Sequence, residues 1–236
     1  MRRLVDWHTR AGRLGLRLLW LHLLWCAWTL RGGILLGAFP ATAAVHAVLR
    51  SDERHRLGDP EVELELRGVR AQFRAYFRQE FAAANRLGLT LAAVWALLLV
   101  DRSLVSQLDL GGLGPVLAGA HTVAGVVLVV LTAIIWVLQA QFAEGTAALL
   151  RRSLVLLAGR PAAAALTAAS IGLLLYAYYL VPGFIPVFGI PALAAAATAC
   201  LWRTGILTAP PIPATERDPQ LRVHRAPGAA PAPRPS

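Results

Sequence analysis

Long apolar runs constrain this chain more than any other feature of its sequence. Five of them separate out, at about residues 14–49, 87–100, 116–137, 162–180 and 189–201. Apolar residues make up 57% of the chain and charged residues only 15%, whereas soluble domains carry about 25% charged residues. Apolar runs of about 18 residues or more are typical of transmembrane helices. The sequence therefore predicts an all-α, polytopic bundle of transmembrane helices in the cell membrane.

The first apolar run is too long to be one straight span. Its 36 residues would form a helix of about 54 Å, against a hydrocarbon core of about 30 Å. One helix would also place Arg31 near the membrane centre, at a cost of roughly 2.5–3.5 kcal/mol on insertion scales. A turn at Arg31-Gly32-Gly33 avoids both problems and gives about six membrane segments. The second of them, residues 33–49, either spans or is re-entrant, and Pro40 is expected to start its helix.

The positive charge predicts how the segments are oriented. All 23 basic residues are arginines, which together with abundant Ala, Leu and Gly suggests a GC-rich bacterial genome. If the first run returns to its starting side, 21 arginines share one side and only Arg31 and Arg102 lie on the other. Positive loops stay in the cytoplasm, so both termini are expected there. Arginines that hold the loops in the cytoplasm and face anionic lipid then account for the net charge of +10. We therefore expect no nucleic-acid partner.

The composition divides the chain into three parts. We expect a cytoplasmic N-terminus at residues 1–13 and a transmembrane helical domain at residues 14–207. Residues 208–236 are rich in Pro, Ala and Arg, which predicts a disordered cytoplasmic tail. A signal peptide ending near Ala43 is the alternative for the N-terminus, although Arg31 interrupts its apolar region.

Residues 60–86 are expected to form a basic amphipathic helix on the cytoplasmic side. Asp59 followed by Pro60 is a typical helix start. Aromatic and basic residues each recur every four positions, at Phe73, Phe77 and Phe81 and at Arg70, Arg74 and Arg78. Such a helix suits the headgroup region of the anionic cytoplasmic leaflet, which is the expected partner. We favour the interpretation that the rings pack on the protein's own bundle and that the arginines mark topology.

Three short motifs resemble the YesL-like family of bacterial membrane proteins. They are Leu-Leu-Trp at 23–25, Gly-Ala-Phe-Pro-Ala-Thr-Ala-Ala at 37–44 and Phe-Arg-Ala-Tyr-Phe-Arg-Gln-Glu-Phe at 73–81. Their order and spacing are similar to the family over about residues 10–205. His22 stands where the family usually has Asn, and Ala38 where it often has Gly. The resemblance implies a small multi-helix membrane protein without catalytic residues, whose relatives often accompany carbohydrate uptake systems.

The positions of the carboxylates and histidines limit the chemistry that this chain could perform. All 13 Asp and Glu residues fall in loops, tails or membrane edges, so the mid-membrane carboxylate that coupled carriers commonly use is missing. The sequence has no H-E-x-x-H, P-loop or G-x-S-x-G motif, and Cys26 and Cys200 form no metal or redox pair. We therefore expect no enzyme activity, metal or cofactor. His46 and His121 are candidates for a membrane function, with hydrogen bonding between helices as the commoner role.

These observations lead to two functional hypotheses. The first is a non-enzymatic accessory or regulatory membrane protein linked to carbohydrate uptake, with a sugar-uptake transporter or a second copy of itself as partner. The alternative is a small permease or channel without membrane-embedded carboxylates. A continuous polar cavity past His46 and His121 would favour the permease, and a close-packed bundle the accessory protein. The candidate structural and functional residues are Trp25, Pro40, Thr42, His46, Phe73, Arg74, Phe77, Arg78, Phe81 and His121.

Overall fold

All regular secondary structure in the described part of the chain is helical. The computed structural model describes residues 2–58, 68–108, 111–142, 144–205 and 207, without the side chains of residues 2–7, 10, 57 and 58. The helices are α1 (Arg2–Arg31), α2 (Leu35–Gly58), α3 (Val69–Ser106), α4 (Leu113–Gln141), α5 (Thr146–Gly159), α6 (Pro161–Leu180), a 3₁₀ turn (Pro182–Phe184) and α7 (Ile185–Arg203). The predicted all-α class is confirmed.

Four of these helices are long and apolar enough to cross a membrane. They are α3, α4, α6, and α7 together with the preceding 3₁₀ turn. The structure thus supports four of the roughly six predicted segments, because α1 and α2 do not meet the same criterion within the described residues. In α2 the apolar part ends at Arg50, and residues 35–49 span only about 22 Å, short of a hydrocarbon core of about 30 Å.

The turn between α1 and α2 lies where the sequence predicted it. α1 ends at Arg31, and Gly33 adopts a left-handed conformation with φ of 82°. The Ile34 N–H donates to the Thr29 carbonyl at 2.9 Å, and the Gly33 N–H donates to Leu30 at 3.2 Å. This is the Schellman pattern, which ends a helix at a left-handed glycine. The local sequence therefore determines the hairpin.

Pro40 lies inside α2 and does not start it. The helix begins at Leu35, so the predicted start at Pro40 is wrong. From Pro40 to Leu49 every residue is buried except Thr42, which is half-buried. A helix that is apolar all round is a core helix, and α2 contacts α1, α3, α4 and α7. Protein therefore surrounds this part of α2, which explains why it need not be long enough to span lipid.

α3 joins the aromatic stripe to a candidate span in one helix of 38 residues. It begins at Val69, directly after Gly68, which has φ of 84°. The predicted start of the amphipathic helix at Asp59 and Pro60 lies outside the described residues, as does the predicted tail at 208–236. A helix of this length extends about 57 Å, so α3 continues well beyond one bilayer core.

The segment between α4 and α6 is helical, although it lies between two of the predicted apolar runs, 116–137 and 162–180. In α5, Leu149 and Ser153 are buried while Arg151 and Arg152 are exposed. A buried pair four residues apart is the helical spacing that could have revealed this element. Pro161 then occupies the first turn of α6, a position where proline is favoured.

α7 is kinked at Gly189, which has φ of 25°. A Cβ at this position would lie 2.3 Å from Cε1 of His22, so the ring of His22 packs directly on the glycine backbone. The Tyr178 hydroxyl donates to the Gly189 carbonyl at 2.8 Å. The kink thus brings α1, α6 and α7 together at one point.

The buried core forms two clusters that differ in the helices they join. One contains Ala43 of α2 and residues of α3, α4, α5, α6 and α7, among them Leu87, Leu91, Ile134, Ile135, Leu149, Ala164 and Leu201. The other joins α1 and α2 to the beginning of α3 and includes Leu21, Leu24, Val45, Val48, Phe73 and Phe77, with Ala194 of α7. Most residues of α3 after Leu91 and of the first half of α4 are exposed. Both clusters include residues of α2, so this helix connects them.

Candidate functional site

Two of the predicted candidate residues, Trp25 and Thr42, are hydrogen-bonded to each other. The indole Nε1–H of Trp25 donates to Oγ1 of Thr42 at 3.0 Å. The Thr42 hydroxyl in turn donates to the Ala38 carbonyl one turn earlier, at 2.8 Å. The first two motifs of the sequence therefore meet across the α1–α2 hairpin, and the Thr42 hydroxyl has both a donor and an acceptor as partners.

Glycines let the backbone of α2 approach its neighbours closely. A Cβ on Gly37 would lie 2.3 Å from the Thr29 carbonyl oxygen and 2.9 Å from Cα of Gly32. A Cβ on Gly88 of α3 would lie 2.2 Å from the ring of Phe39. Since these contacts involve backbone and a ring, larger residues would force the helices apart. Gly88 was not among the predicted candidates, because nothing in its local sequence marks its partner.

A cavity of about 430 Å³ lies beside α2, bounded also by α3, α4, α6 and α7. Its lining is predominantly apolar and aromatic and includes Phe39, Leu91, Trp95, Trp136, Ile171 and Ala194. Thr42 and His46 from the predicted candidates also line it. Volumes of roughly 300–1,000 Å³ with mostly apolar walls and few polar groups are typical of small-molecule sites. This cavity is the main candidate site in the described part of the chain.

The polar groups of the cavity differ in whether they are satisfied. Thr132 repeats the arrangement of Thr42: its hydroxyl donates to the Leu128 carbonyl at 2.7 Å and accepts from the Trp95 indole at 3.2 Å. His46 is only 4% exposed, and its Nδ1 has no hydrogen-bond partner among the described groups. The cavity therefore combines an apolar wall with one unpaired, buried nitrogen.

A second cleft is lined by four exposed arginines. Arg31 from the end of α1 lies with three basic residues of α3 around a volume of about 630 Å³, namely Arg70, Arg74 and Arg78. The guanidinium of Arg31 lies 5.7 Å from the centre of the Trp28 ring. The charge count had placed Arg31 on the opposite side of the membrane from the other three. The shared cleft argues against that assignment, because residues that line one cleft lie at the same level of the molecule.

The aromatic stripe of α3 packs against the protein itself. Phe73 is fully buried, Phe77 is 6% exposed and Phe81 is 37% exposed. The Phe77 ring lies 5.0 Å from that of Trp28 and 5.7 Å from that of Phe81. Phe73 and Phe77 thus belong to the core, as the favoured interpretation of the sequence predicted. The arginines on the adjacent face stay exposed.

His121 lies apart from the cavity, in the hairpin of α3 and α4. Its Nε2 is 2.7 Å from Oδ2 of Asp101, and its Nδ1 is 2.7 Å from the Leu117 carbonyl oxygen. The Asp101 side chain is 61% exposed. Since His121 does not line the cavity around His46, the structure does not bring the two candidate histidines into one site.

A buried ion pair links α1 to α2 and was not predicted from the sequence. The Arg17 Nε–H donates to Oδ2 of Asp52 at 2.6 Å, and its Nη2 donates to Oδ1 at 2.5 Å. Both residues are 5% exposed. Asp52 had been assigned to a loop or membrane edge, and this is corrected: it lies within α2 in the protein interior. Among the described residues, no group of three His, Cys, Asp or Glu side chains is placed to hold a metal ion.

Comparison with a known protein family places similarity on this same region. Residues 18–102 match the model of a family described as a protein of unknown function, DUF624. A Bacillus subtilis (strain 168) relative named "Uncharacterized protein YesV" is 26% identical over 173 residues, which cover 73% of this chain and 79% of that protein. No solved structure gives a significant match.

The matched segment coincides with the part of the fold that holds all three motifs. It begins in α1, contains the whole of α2 and ends near the end of α3. The resemblance inferred from the sequence extended over about residues 10–205, further than the family model reaches. What is shown is similarity to a family of unknown function, in a chain with four helices able to cross a membrane.

Proposed function

We propose that this chain is a non-catalytic accessory or regulatory protein of a membrane transport system, with carbohydrate uptake as the process it serves. The observation that carries the proposal is the apolar character of the cavity beside α2. A sugar presents many hydroxyls, and each loses its bonds to water on entering an apolar site. Here the hydroxyls of Thr42 and Thr132 are already engaged with tryptophans. The cavity is therefore a poor pathway for a carbohydrate.

The competing function, a small permease or channel, needs a polar path. His46 lines the cavity, but His121 lies beside Asp101 in a different part of the fold. The cavity that His46 lines does not include His121. Among the described residues, a permease path past both histidines would therefore have to extend beyond this cavity. The accessory function requires no such path and is therefore preferred.

The ion pair inside the hairpin supports a role without catalysis. Asp52 is a carboxylate buried in the protein, and both of its oxygens accept bonds from Arg17. A carboxylate held in this way is not available as a general base. We accordingly propose that the chain is no enzyme and uses no cofactor.

The proposed partners are the anionic leaflet of the membrane and a second protein. Arg31, Arg70, Arg74 and Arg78 share one cleft, and each arginine near an anionic surface contributes roughly 1 kcal/mol of attraction. The second protein is a sugar-uptake transporter or another copy of this chain. The carbohydrate link itself rests on the resemblance to YesL-like proteins, since the matched family and the relative carry no functional description.

Two measurements separate the accessory protein from the permease. A strain lacking this chain should take up one or more labelled carbohydrates more slowly, and the full-length chain should restore uptake. The purified chain in proteoliposomes should show no carbohydrate flux by itself. The matched control is the same vesicles without protein.

Three outcomes would contradict the proposal. Saturable carbohydrate flux through the purified chain would establish the permease. Unchanged uptake of every carbohydrate in the deletion strain would remove the link to carbohydrate transport. Turnover of a carbohydrate by the purified chain would show an enzyme instead.

A further inference from the structure

The cavity beside α2 has the size and wall chemistry of a site for a small lipid. An engineered apolar cavity of about 150 Å³ holds benzene, so by scaling a cavity of about 430 Å³ holds roughly 15–20 heavy atoms. Aromatic and aliphatic side chains from five helices line it, including Phe39, Trp95 and Trp136. An apolar molecule gains most from such walls, and a charged one would lose its hydration without compensation.

One buried imidazole specifies the polar part of the ligand. The side chain of His46 lines the cavity, the residue is 4% exposed, and its Nδ1 has no hydrogen-bond partner among the described groups. Leaving a buried polar group unpaired is costly, so a ligand that pairs it gains affinity. A hydroxyl can both donate and accept, so it fits whichever tautomer the imidazole adopts. The two threonines that line the cavity are already bonded to tryptophans and do not compete for this group.

The cavity reaches the surface of a helix that is able to cross the membrane. Ala92 of α3 lines the cavity and is exposed, and the neighbouring Trp95 is half-buried. α3 is one of the four candidate spans. A molecule dissolved in the bilayer can therefore enter from the side, without passing through water.

We propose that this cavity binds a neutral, membrane-soluble alcohol of roughly 15–20 heavy atoms, whose apolar body lies against α3, α4 and α7 and whose hydroxyl pairs with the imidazole of His46. The site is independent of the proposed accessory role, and either can fail without the other. If both hold, the lipid alcohol is a candidate signal to which the accessory protein responds.

The experiment uses two of the protein's own tryptophans. Trp95 and Trp136 line the cavity, so a brominated ligand bound there quenches their fluorescence by contact. The full-length chain in lipid nanodiscs is titrated with a bromoalkanol in this size range and with the bromoalkane of equal length. The alkanol should quench saturably at about tenfold lower concentration than the alkane, since one hydrogen bond to a buried group contributes about that factor.

Variants assign the effect to the cavity and to His46. His46→Phe keeps an aromatic ring without the nitrogen, so the alkanol and the alkane should become equivalent. Ala194→Leu fills the cavity and should abolish saturable quenching by both ligands, and Ala133→Leu does the same at a half-buried wall position. Ala93→Leu is the matched control, because Ala93 is exposed and does not line the cavity; it should behave as the unmodified chain.

The proposal is overturned by either of two results. Equal quenching in the unmodified chain and in a correctly folded cavity-filling variant would show that the probe acts from the bulk lipid. Equal affinity for alkanol and alkane in the unmodified chain would show that His46 pairs with no ligand hydroxyl. Folding of each variant is checked by its elution profile and thermal midpoint, so a misfolded protein is not mistaken for a lost site.

Discussion

The α1–α2 and α3–α4 hairpins share the same kinds of turn and side-chain contact but lie in different environments. Each turns at a pair of glycines, and each has a tryptophan that donates to a threonine of the other helix, Trp25 to Thr42 and Trp95 to Thr132. Each also has an acid paired with a base across the hairpin. In α1–α2 this pair is buried, whereas Asp101 of α3–α4 is mostly exposed.

The difference shows that an apolar run has two distinct uses in this chain. α2 is covered by other helices and can be shorter than the membrane is thick. In the first half of α4 most residues are exposed, in a helix that is mainly apolar and long enough to cross a membrane. The surroundings of each hairpin therefore determine how much otherwise equivalent contacts contribute to the free energy of unfolding. Four experiments test the comparison, from the largest expected effect to the smallest.

The largest expected effect is an all-or-none difference in cysteine labelling. It depends on the side of the membrane on which the α1–α2 turn lies. Because Arg31 and Arg74 line one cleft, cysteines at both positions should react alike. In a background without Cys26 and Cys200, Arg31→Cys and Arg74→Cys should resist a membrane-impermeant maleimide in intact cells and react in inside-out vesicles. Leu108→Cys, after the first candidate span, should react in intact cells. Labelling of Arg31→Cys in intact cells would restore the six-segment topology.

The second prediction concerns the two ion pairs. Asp52→Asn removes the buried carboxylate that pairs with the Arg17 guanidinium and should lower the free energy of unfolding by about 3–5 kcal/mol. Asp101→Asn, at an exposed position, should change the thermal midpoint little. Thermal denaturation in detergent, followed by the loss of the monodisperse peak, measures both. If the two variants are equally stable, the contrast between the hairpins fails.

A control separates the lost charge from the lost packing. The double replacement Arg17→Met with Asp52→Leu removes both charges together and should recover most of the stability lost in Asp52→Asn. Glu53→Gln breaks the more exposed pair with Arg56, whose atoms lie 3.3 Å apart, and should have a small effect.

The third prediction compares a glycine in each hairpin. Gly37→Ala places a methyl group against the backbone of Thr29 and should destabilise the chain by about 1–3 kcal/mol. Gly119→Ala in α4 meets open space and should stabilise it by about 0.5–1 kcal/mol through helix propensity alone. The sign of the change in thermal midpoint should therefore differ between them. A stabilising Gly37→Ala would mean that α1 and α2 are not in close contact.

The smallest effect concerns the tryptophan–threonine pairs, which are half-buried in both hairpins. Double-mutant cycles with Trp25→Phe and Thr42→Val, and with Trp95→Phe and Thr132→Val, should give coupling energies of about 0.6 kcal/mol each. Equal coupling energies would show that the tryptophan–threonine hydrogen bond contributes equally to stability in the two hairpins when it is equally buried. A much larger coupling in one pair would point to a further contact of that threonine.

Local sequence determined the parts of this fold that depend on period and on backbone chemistry. The long apolar runs predicted α3, α4, α6 and α7, because length and hydropathy suffice to define a helix that can cross a membrane. The glycines after Arg31 predicted the first turn, since a left-handed residue ends a helix. The resemblance carried by three motifs also pointed to a family of unknown function, which the match over residues 18–102 supports.

Only the tertiary structure decided which groups meet, because a contact between distant residues leaves no mark on either local sequence. Arg17 and Asp52 are 35 positions apart and Phe39 and Gly88 lie on different helices, so neither pair could be read from spacing. The burial of α2 follows from four surrounding helices, which made its short apolar run part of a core. The same packing left His46 against an apolar cavity and placed His121 elsewhere, so that only the first of these two candidate histidines lines the candidate site.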